Sequence, residues 1–383
     1  MKLKVLHFSR KFLPFTYSFV KNQIENHITY EPAVVFKELV SPEIHACDLL
    51  NKYHCYDLGA KNNLWRTLLY KYIRRITRQD LQQIEKIIEL EQVKILHFHF
   101  GTDAGMYYKI FQRTNLPSVV SFYGYDCSSF PHSLFGYGKY YLQKRVFSKA
   151  TRILAMSQDM KKDLINLGCP EEKITVHYYG TDVKRFYISR EYGQKEKVEL
   201  LILSSLYQYK GHHFLLEAIR LLCKEGKRNF HLTIAGKGIL EDELKEMVSL
   251  FELNEYVSFY GYVKYGSPEM IALLEKADVF IHPSVTHKTV KEGIPGAIIE
   301  AMSSGLPVIS TYHAGIPYVI ESGESGLLVN EWDINQLSSA IFQLIDSVSL
   351  REKYGKKGQQ YALSHLDVFE KEKELETIYN SLL

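Results

Sequence analysis

The stretch from Lys291 to Ser310, KEGIPGAIIEAMSSGLPVIS, decides the fold of this chain and reads as loop, helix, stop and strand. Pro295 suits the first helical position, because its missing N–H has no partner there and its φ is already helical. Gly305 and Pro307 stop the helix, and Val308 opens the next buried strand. The stretch predicts one repeat of an α/β fold, with the start of its helix facing a loop.

That helix start predicts a binding site for a particular kind of ligand. The amides from Ile294 to Ala297 point out of the helix N-terminus, which suits a phosphate. Glu292 lies just before this site and Glu300 lies about 7 Å further along the axis, at about 1.5 Å per residue. Carboxylates do not bind phosphate, so we expect them to hold hydroxyl groups. A diphosphate with hydroxyl-rich groups on both sides is a nucleotide-sugar.

The spacing of these two glutamates resembles the Glu-x7-Glu motif of retaining glycosyltransferases of family 4. The resemblance implies that Glu292 contacts the transferred sugar and that Glu300 holds the ribose hydroxyls. It also implies the GT-B fold, an α/β architecture of two Rossmann-like domains facing a central cleft. The residues expected to place amides on the sugar and phosphate are Gly293, Ile294, Pro295 and Gly296.

Further segments resemble the same family, in order and at normal spacing. An N-terminal loop without a double glycine, at 9–24, is similar to the subgroup that acts on bacterial exopolysaccharides. The other matching segments are SQDMKKDLINLGCPEEKITVHYYGTDVKRF at 157–186, YKGHHFLLEAI at 209–219, IAGKG at 234–238, FYGYV at 259–263 and SGESGLLV at 322–329.

The resemblance assigns donor-side roles in the second half of the chain. Lys210 is expected to neutralise the leaving diphosphate, Gly236 to lie near the nucleotide, and the Val263 backbone to meet the base. Ser205 stands where the family usually has an arginine. That departure removes one cation from the expected diphosphate site.

In the first half, the residues after two predicted strands are candidates for the acceptor side. Tyr123 stands where relatives often carry a histidine near the sugar; its hydroxyl can donate a hydrogen bond but is a poor base near neutral pH. Asp126 could hold acceptor hydroxyls or cap a helix. His99 could contact the acceptor or be a structural histidine. It shares a strand face with His97, but a third metal ligand is not evident nearby. Arg10 could meet an acceptor phosphate or be solvated.

Length and composition suit two domains in a reducing compartment. The chain has 383 residues, of which 46% are hydrophobic. The apolar run at its start is too short for a signal peptide, and the five cysteines show no metal-binding spacing. We expect an N-terminal acceptor-side domain at 1–186, a nucleotide-sugar-binding domain at 187–364 and a helix at 365–383 that crosses back to the first domain. We also expect cytoplasmic localisation.

The charge is uneven along the chain. Residues 1–180 carry 25 Lys and Arg against 16 Asp and Glu, a net of +9, and the remainder carries a net of −6. The segment 62–78 has the composition of an interfacial helix, and equally of a buried helix with a basic outer face. The interfacial alternative predicts peripheral association with an anionic membrane, at the inner face of the plasma membrane. Nucleic acid is disfavoured, because no nucleic-acid motif is found.

The resemblance predicts a retaining glycosyltransferase that transfers a hexose. The donor would be a UDP- or GDP-sugar, and the acceptor a glycan or lipid-linked glycan in bacterial surface polysaccharide assembly. No cofactor and no essential metal are expected. Two other classes stay open: a nucleotide-sugar epimerase of related fold, and a binding-only homologue without turnover.

Overall fold

The computed structural model describes residues 2–12, 18–39, 52–59 and 74–383. The chain divides into two compact units. Unit 1 comprises 1–180 and 368–383, and unit 2 comprises 181–367. The first part of unit 1 ends at residue 180, six residues before the predicted end of the N-terminal domain. Its second part begins at residue 368, three residues after the predicted start of the last helix.

Unit 1 is built on a parallel sheet of seven described strands in the order β3-β2-β1-β4-β5-β6-β7. Strands β2 and β3 lie on one side of β1, and strands β4 to β7 follow on its other side, as in a doubly wound Rossmann-like sheet. The strands are β1 Leu3–Phe12, β2 Tyr30–Leu39, β3 His54–Asp57, β4 Val93–His99, β5 Ser118–Phe122, β6 Arg152–Ala155 and β7 Ile174–Val176.

Unit 2 repeats this arrangement with six described parallel strands in the order β10-β9-β8-β11-β12-β13. Its central strands are almost continuously apolar, which is typical of a sheet covered on both faces. The strands are β8 Val198–Leu203, β9 Phe230–Ala235, β10 Val257–Gly261, β11 Val279–His282, β12 Val308–Thr311 and β13 Gly326–Val329.

The α-helices of the described residues alternate with these strands. They are α1 Ser18–Glu25, α2 Arg78–Glu91, α3 Gly101–Ala104, α4 Ile110–Arg113, α5 Ser133–Leu142, α6 Gln158–Asn166, α7 His212–Lys224, α8 Glu241–Leu250, α9 Pro268–Lys276, α10 Gly296–Ser303, α11 Ile334–Asp346, α12 Val348–His365 and α13 Val368–Asn380.

The last helix, α13, packs on the sheet of unit 1. Leu375 and Tyr379 are buried in one apolar cluster with Val5 and Ile95 of neighbouring strands. Glu376 accepts hydrogen bonds from the amides of residues 28 and 29, at 2.7 and 3.0 Å. These contacts explain why the end of the chain belongs to the first unit.

The predicted α/β fold with two Rossmann-like parallel sheets is confirmed. The short apolar runs of the sequence predict strands at 4–8, 33–36, 95–99, 118–122, 152–155, 174–177, 200–204, 231–235, 257–260, 279–281, 308–310 and 326–329, and each of these overlaps a strand of the structure. Strand β3, His54–Asp57, is an addition. Its four residues are exposed or half-buried, so they lack the apolar run that marks the buried strands.

Most of the segment 62–78 lies outside the described residues. Within the described part, Ile76 is buried and Arg78 begins α2. The Arg74 guanidinium lies over the Phe130 ring, 4.5 Å from its centroid. None of the described helices combines the length and the apolar character that crossing a bilayer requires.

Candidate functional site

The helix that the opening stretch predicts is α10, and it begins at Gly296. Pro295 is its N-cap, one position earlier in the helix than predicted. Gly305 follows the helix with a φ of +75°, a conformation that glycine adopts without a Cβ penalty. The amides of the first turn have no partner inside the helix, so this end attracts an anion.

Lys210 reaches this helix from the loop before α7. Gly211 has a φ of +75°, and a Cβ at this position would lie 1.9 Å from the Pro283 carbonyl oxygen. The Val285 amide also donates to the Tyr209 carbonyl at 2.9 Å. The loop is thus held against the residues that follow β11, which places Lys210 beside Glu292.

Glu292 accepts hydrogen bonds from two side chains. The Lys210 ammonium donates to its Oε1, and the Ser284 hydroxyl donates to its Oε2 at 2.5 Å. The His282 Nε2 lies 3.5 Å from the same Oε2. Burial alone would raise the pKa of Glu292, but Lys210 and these neighbours bring it well below its usual range. Glu292 is therefore a carboxylate with fixed orientation.

A second pair of side chains positions the Glu292 backbone. His313 accepts a hydrogen bond from the Glu292 amide at its Nε2, at 3.1 Å. The other ring nitrogen of His313 faces Glu331, whose Oε1 is 2.7 Å away. A carboxylate there requires the proton on Nδ1 and leaves Nε2 as an acceptor. The sequence analysis missed both residues, although His313 follows a predicted strand.

Glu300 lies on the second turn of α10 and is 5% exposed. Burial raises its pKa to about 8, and Arg185 opposes that shift. The carboxyl points back toward the start of the helix, where a Cβ at Gly296 would lie in ordinary contact, 3.5 Å from Glu300 Oε1. The two predicted glutamates thus belong to one helix end but have opposite pKa shifts.

The other predicted donor residues lie at the carboxyl ends of β8, β9 and β10. Gly236 has a φ of +147° and a Cβ there would lie 1.8 Å from the Ser204 carbonyl oxygen, so the turn requires glycine. Ser205 is half-buried and hydrogen-bonds Tyr209. Val263 is half-buried in the loop after β10. Open α/β sheets bind ligands at this edge.

In unit 1, the loop after β5 places Tyr123 beside Asp126. Asp126 is fully buried and accepts hydrogen bonds from the amides of Gly101, Tyr123 and Gly124, at 2.9 to 3.1 Å. Burial raises its pKa to about 6. Of the two roles open for Asp126, this geometry favours the structural one. Arg10 pairs with Asp103, with its Nε 3.6 Å from the carboxylate.

His99 is fully buried behind Tyr123, whose hydroxyl lies 2.8 Å from its Nδ1. It therefore supports Tyr123 and does not itself reach an acceptor. The expectation that no third metal ligand lies near His97 and His99 is wrong, because His7 lies beside both and could complete a metal-binding group. Strand β1 pairs with β4, with His7 opposite His97, which the sequence spacing does not reveal.

Two family models match the chain. Residues 47–185 match the model described as Glycosyltransferase Family 4, and residues 185–361 match the model described as Glycosyl transferases group 1. The second match contains both glutamates, Lys210 and His313.

Curated relatives include proteins named for exopolysaccharide synthesis. The chain is 35% identical over 253 residues to the putative colanic acid biosynthesis glycosyltransferase WcaL of Salmonella typhimurium, which covers 63% of this chain and 61% of the relative. It is 34% identical over 249 residues to the amylovoran biosynthesis glycosyltransferase AmsK of Erwinia amylovora, covering 64% and 60%. The chain thus spans about three fifths of the length of these relatives.

Solved structures share the fold over the full chain. Anabaena HepE in complex with UDP superposes with a TM-score of 0.77 at 16% identity, covering all of both chains. Sucrose-phosphate synthase of Thermosynechococcus elongatus superposes with a TM-score of 0.79 at 15% identity, covering 100% and 99%. With both of its halves matched by family models, the chain belongs to the glycosyltransferase family that those models describe.

Proposed function

We propose that this chain is a retaining glycosyltransferase that moves a sugar from a nucleotide-sugar to a hydroxyl of a glycan. The carrying observation is the buried pairing of Lys210 with Glu292 before α10, with Glu300 one turn inside that helix. This arrangement combines a cation, helix amides and two carboxylates. Those are the groups that a diphosphate flanked by two polyols requires.

Each group has a role in this proposal. Glu292 accepts hydrogen bonds from the transferred sugar, and Glu300 accepts them from the ribose. The amides of 293–296 and the Lys210 ammonium stabilise negative charge on the leaving diphosphate, which develops as the glycosidic bond breaks. Lys210 is held beside Glu292 before the donor binds, so little reorganisation is needed.

The relatives and the solved structures support a choice of donor base and of acceptor. HepE is described in complex with UDP and with UDP-glucose, which favours a UDP-sugar over a GDP-sugar as the first donor to test. The names of the WcaL and AmsK relatives favour a role in bacterial surface polysaccharide assembly. We place the acceptor, a glycan or lipid-linked glycan, on unit 1 near Tyr123.

Labelled UDP- and GDP-sugars test this function. We expect slow donor hydrolysis alone, faster turnover with a lipid-linked oligosaccharide, and a product whose anomeric configuration equals that of the donor by NMR. The Glu292→Gln variant is the control for contaminating activity. An inverted product contradicts retention, a changed free nucleotide-sugar indicates an epimerase, and tight binding without any turnover indicates a binding-only protein.

A further inference from the structure

Exposed aromatic side chains of unit 1 are concentrated in one short part of the chain. Among the large aromatic side chains that are exposed in the described part of this unit, all but Phe369 lie within residues 125–140. They are Tyr125, Phe135, Tyr137 and Tyr140. Apolar side chains that lie exposed together mark an interaction surface.

The backbone at the start of α5 holds Phe135 away from the protein. The φ of Phe135 is +55° and that of Gly136 is +87°, and the Phe135 side chain is fully exposed. A left-handed conformation is uncommon for a bulky residue, because its Cβ approaches the following carbonyl oxygen. Strain of this kind persists where a function requires it.

Contacts between rings and arginines join these aromatic residues into one surface. The Tyr125 and Phe130 ring centroids are 6.4 Å apart, and the Arg74 guanidinium lies over the Phe130 ring. The Arg145 guanidinium donates to the Arg74 carbonyl at 3.0 Å and to the Tyr137 hydroxyl at 3.4 Å. The loop that carries Tyr125 and the helix that carries Tyr137 are therefore continuous.

One face of the helix adds a lysine to the rings. Tyr137, Tyr140 and Lys144 are three and four residues apart, which places them on the same side of α5 and the helical turn that follows it. The Tyr137 and Tyr140 ring centroids are 6.3 Å apart. Lys139 is exposed beside them. We call Tyr125, Phe135, Tyr137, Tyr140, Lys139 and Lys144 the aromatic–basic surface.

The charge of this surface has one sign. Residues 127–158 contain five Lys or Arg and no Asp or Glu. Lys139, Lys144 and Lys149 are exposed, and none of them pairs with a carboxylate in the part of the chain that the structure describes. The Lys139 ammonium contacts only the Asn166 carbonyl there, at 3.4 Å. The lysines are therefore available to an anionic partner.

An anionic lipid bilayer fits both properties of the surface. Tyrosine rings are enriched at the level of the lipid headgroups, and lysines are attracted to anionic headgroups. The acyl layer beneath can take up the Phe135 ring. A second copy of the chain fits less well, because symmetric pairing of two such surfaces brings like charges together.

We propose that the aromatic–basic surface docks unit 1 on a bilayer that contains anionic phospholipid, with the Phe135 ring inserted and Lys139 and Lys144 at the headgroups. This docking does not rest on the proposed function. The loop that places Tyr123 leads directly to Tyr125, so an acceptor carried by the same bilayer would lie beside Tyr123. That second step does rest on the proposed function.

Sedimentation of the full chain with phosphatidylcholine vesicles, with and without phosphatidylglycerol, tests the docking. We expect binding only with phosphatidylglycerol, and weaker binding at high salt. Phe135→Ser should reduce the vesicle affinity about tenfold or more, and Lys139→Ser/Lys144→Ser about fivefold per lysine. The controls are Leu250→Ser, an exposed leucine of unit 2, and Lys224→Ser/Arg228→Ser. Vesicle binding that is equal in all variants overturns the proposal.

Fluorescence of the Phe135→Trp variant tests whether this side chain enters the bilayer. Vesicles should shift its emission to shorter wavelength, and lipids with brominated acyl chains should quench it. The Leu250→Trp variant should show neither effect. A Phe135→Trp emission that vesicles leave unchanged overturns the insertion, since the ring would then remain in water.

Two other partners are outcomes of the same set of variants. Tighter binding to single-stranded DNA than to anionic vesicles, lost in Lys139→Ser/Lys144→Ser, overturns the bilayer in favour of nucleic acid. Self-association of the unaltered protein in sedimentation velocity, lost in Phe135→Ser, overturns it in favour of a second copy.

Kinetics separate the docking from the proposed function. With a lipid-linked acceptor in anionic vesicles, Phe135→Ser should raise the apparent acceptor KM about tenfold, as its vesicle affinity falls. Its turnover of a soluble acceptor should equal that of the unaltered protein. Equal losses with both acceptors overturn the acceptor step. Absence of transfer by the unaltered protein overturns the proposed function, and the sedimentation results then decide the docking.

Discussion

The Lys210 ammonium donates to the Glu292 carboxylate, across 82 positions of sequence and with both side chains largely buried. Breaking a buried pair by removing one partner leaves an uncompensated charge, so the pair is strongly coupled. The contact joins the cation expected at the diphosphate to the carboxylate expected at the sugar. Substitution of Lys210 should therefore weaken both UDP binding and sugar transfer, whereas substitution of Glu292 should affect mainly sugar transfer.

Glu292→Gln should abolish most transfer and leave binding of UDP nearly unchanged. The carboxamide keeps the shape but loses the charge-assisted hydrogen bonds to the sugar, each worth about 1.5–3 kcal/mol. Calorimetry with UDP and steady-state kinetics measure the two effects. Glu324→Gln, an exposed glutamate, is the control, and equal transfer rates for Glu292→Gln and this control would contradict the sugar-binding role.

Lys210→Ala should weaken both UDP binding and turnover, with the larger loss in kcat, because charge on the diphosphate grows as the donor bond breaks. It also leaves Glu292 buried without its cation. Its melting temperature must be compared with that of Lys210→Ala/Glu292→Gln, which removes both charges. Because Glu292→Gln itself removes most transfer, UDP binding is the readout for the double variant. If the double variant regains stability but still binds UDP weakly, the loss of UDP binding is due to the missing cation. UDP binding as tight as that of the unaltered protein would rule out a role for Lys210 at the diphosphate.

Glu300→Ala should weaken the binding of UDP and of a UDP-sugar alike, by about 1.5–3 kcal/mol, if the Glu300 carboxylate accepts hydrogen bonds from both ribose hydroxyls. Its pKa of about 8 adds a pH test. Ribose favours the ionised carboxyl, so binding near pH 7 should release a proton, and affinity should rise as the pH passes 8. Calorimetry in two buffers of different ionisation enthalpy measures the released proton. Deoxyuridine nucleotides that bind as tightly as UDP would refute this assignment.

His27 should contribute pH-dependent stability to the packing of α13. Its pKa is about 9 in the folded protein and about 6.5 when unfolded. The contribution, at most about 3 kcal/mol, is complete below pH 6.5 and declines as the pH rises through 9. Urea unfolding at pH 7 and pH 10 measures it. The decline should be smaller in His27→Gln, and identical pH dependence in the two proteins would exclude His27 as its source.

Arg75 and Arg78 test the membrane prediction for the segment 62–78. Arg74 is left in place, because its guanidinium packs over the Phe130 ring. Replacing the two exposed arginines by serine should reduce sedimentation with anionic vesicles at low salt, by roughly 1 kcal/mol per charge. Lys224→Ser/Arg228→Ser in unit 2 is the charge-matched control. If the unaltered protein stays in the supernatant at low salt, the membrane partner is wrong.

The strands and the α10 site could be predicted largely from local sequence. Runs of apolar residues mark buried strands, and the stop at Gly305 marks the end of the helix. The Glu-x7-Glu spacing leaves Glu292 in the loop before α10 and places Glu300 one turn inside the helix, where the rise per residue is constant. These features depend on neighbours within one or two turns, so the sequence by itself determined them.

Side-chain pairs from different strands could not be predicted in this way. Gly211 packs against Pro283 and so aligns Lys210 with Glu292. The pairing of β1 with β4 sets His7 opposite His97, and the packing of α13 brings Glu372 to His27. Strand order and helix packing follow from burial of the whole apolar surface, which no local spacing encodes. Only the tertiary structure decided which buried charges meet.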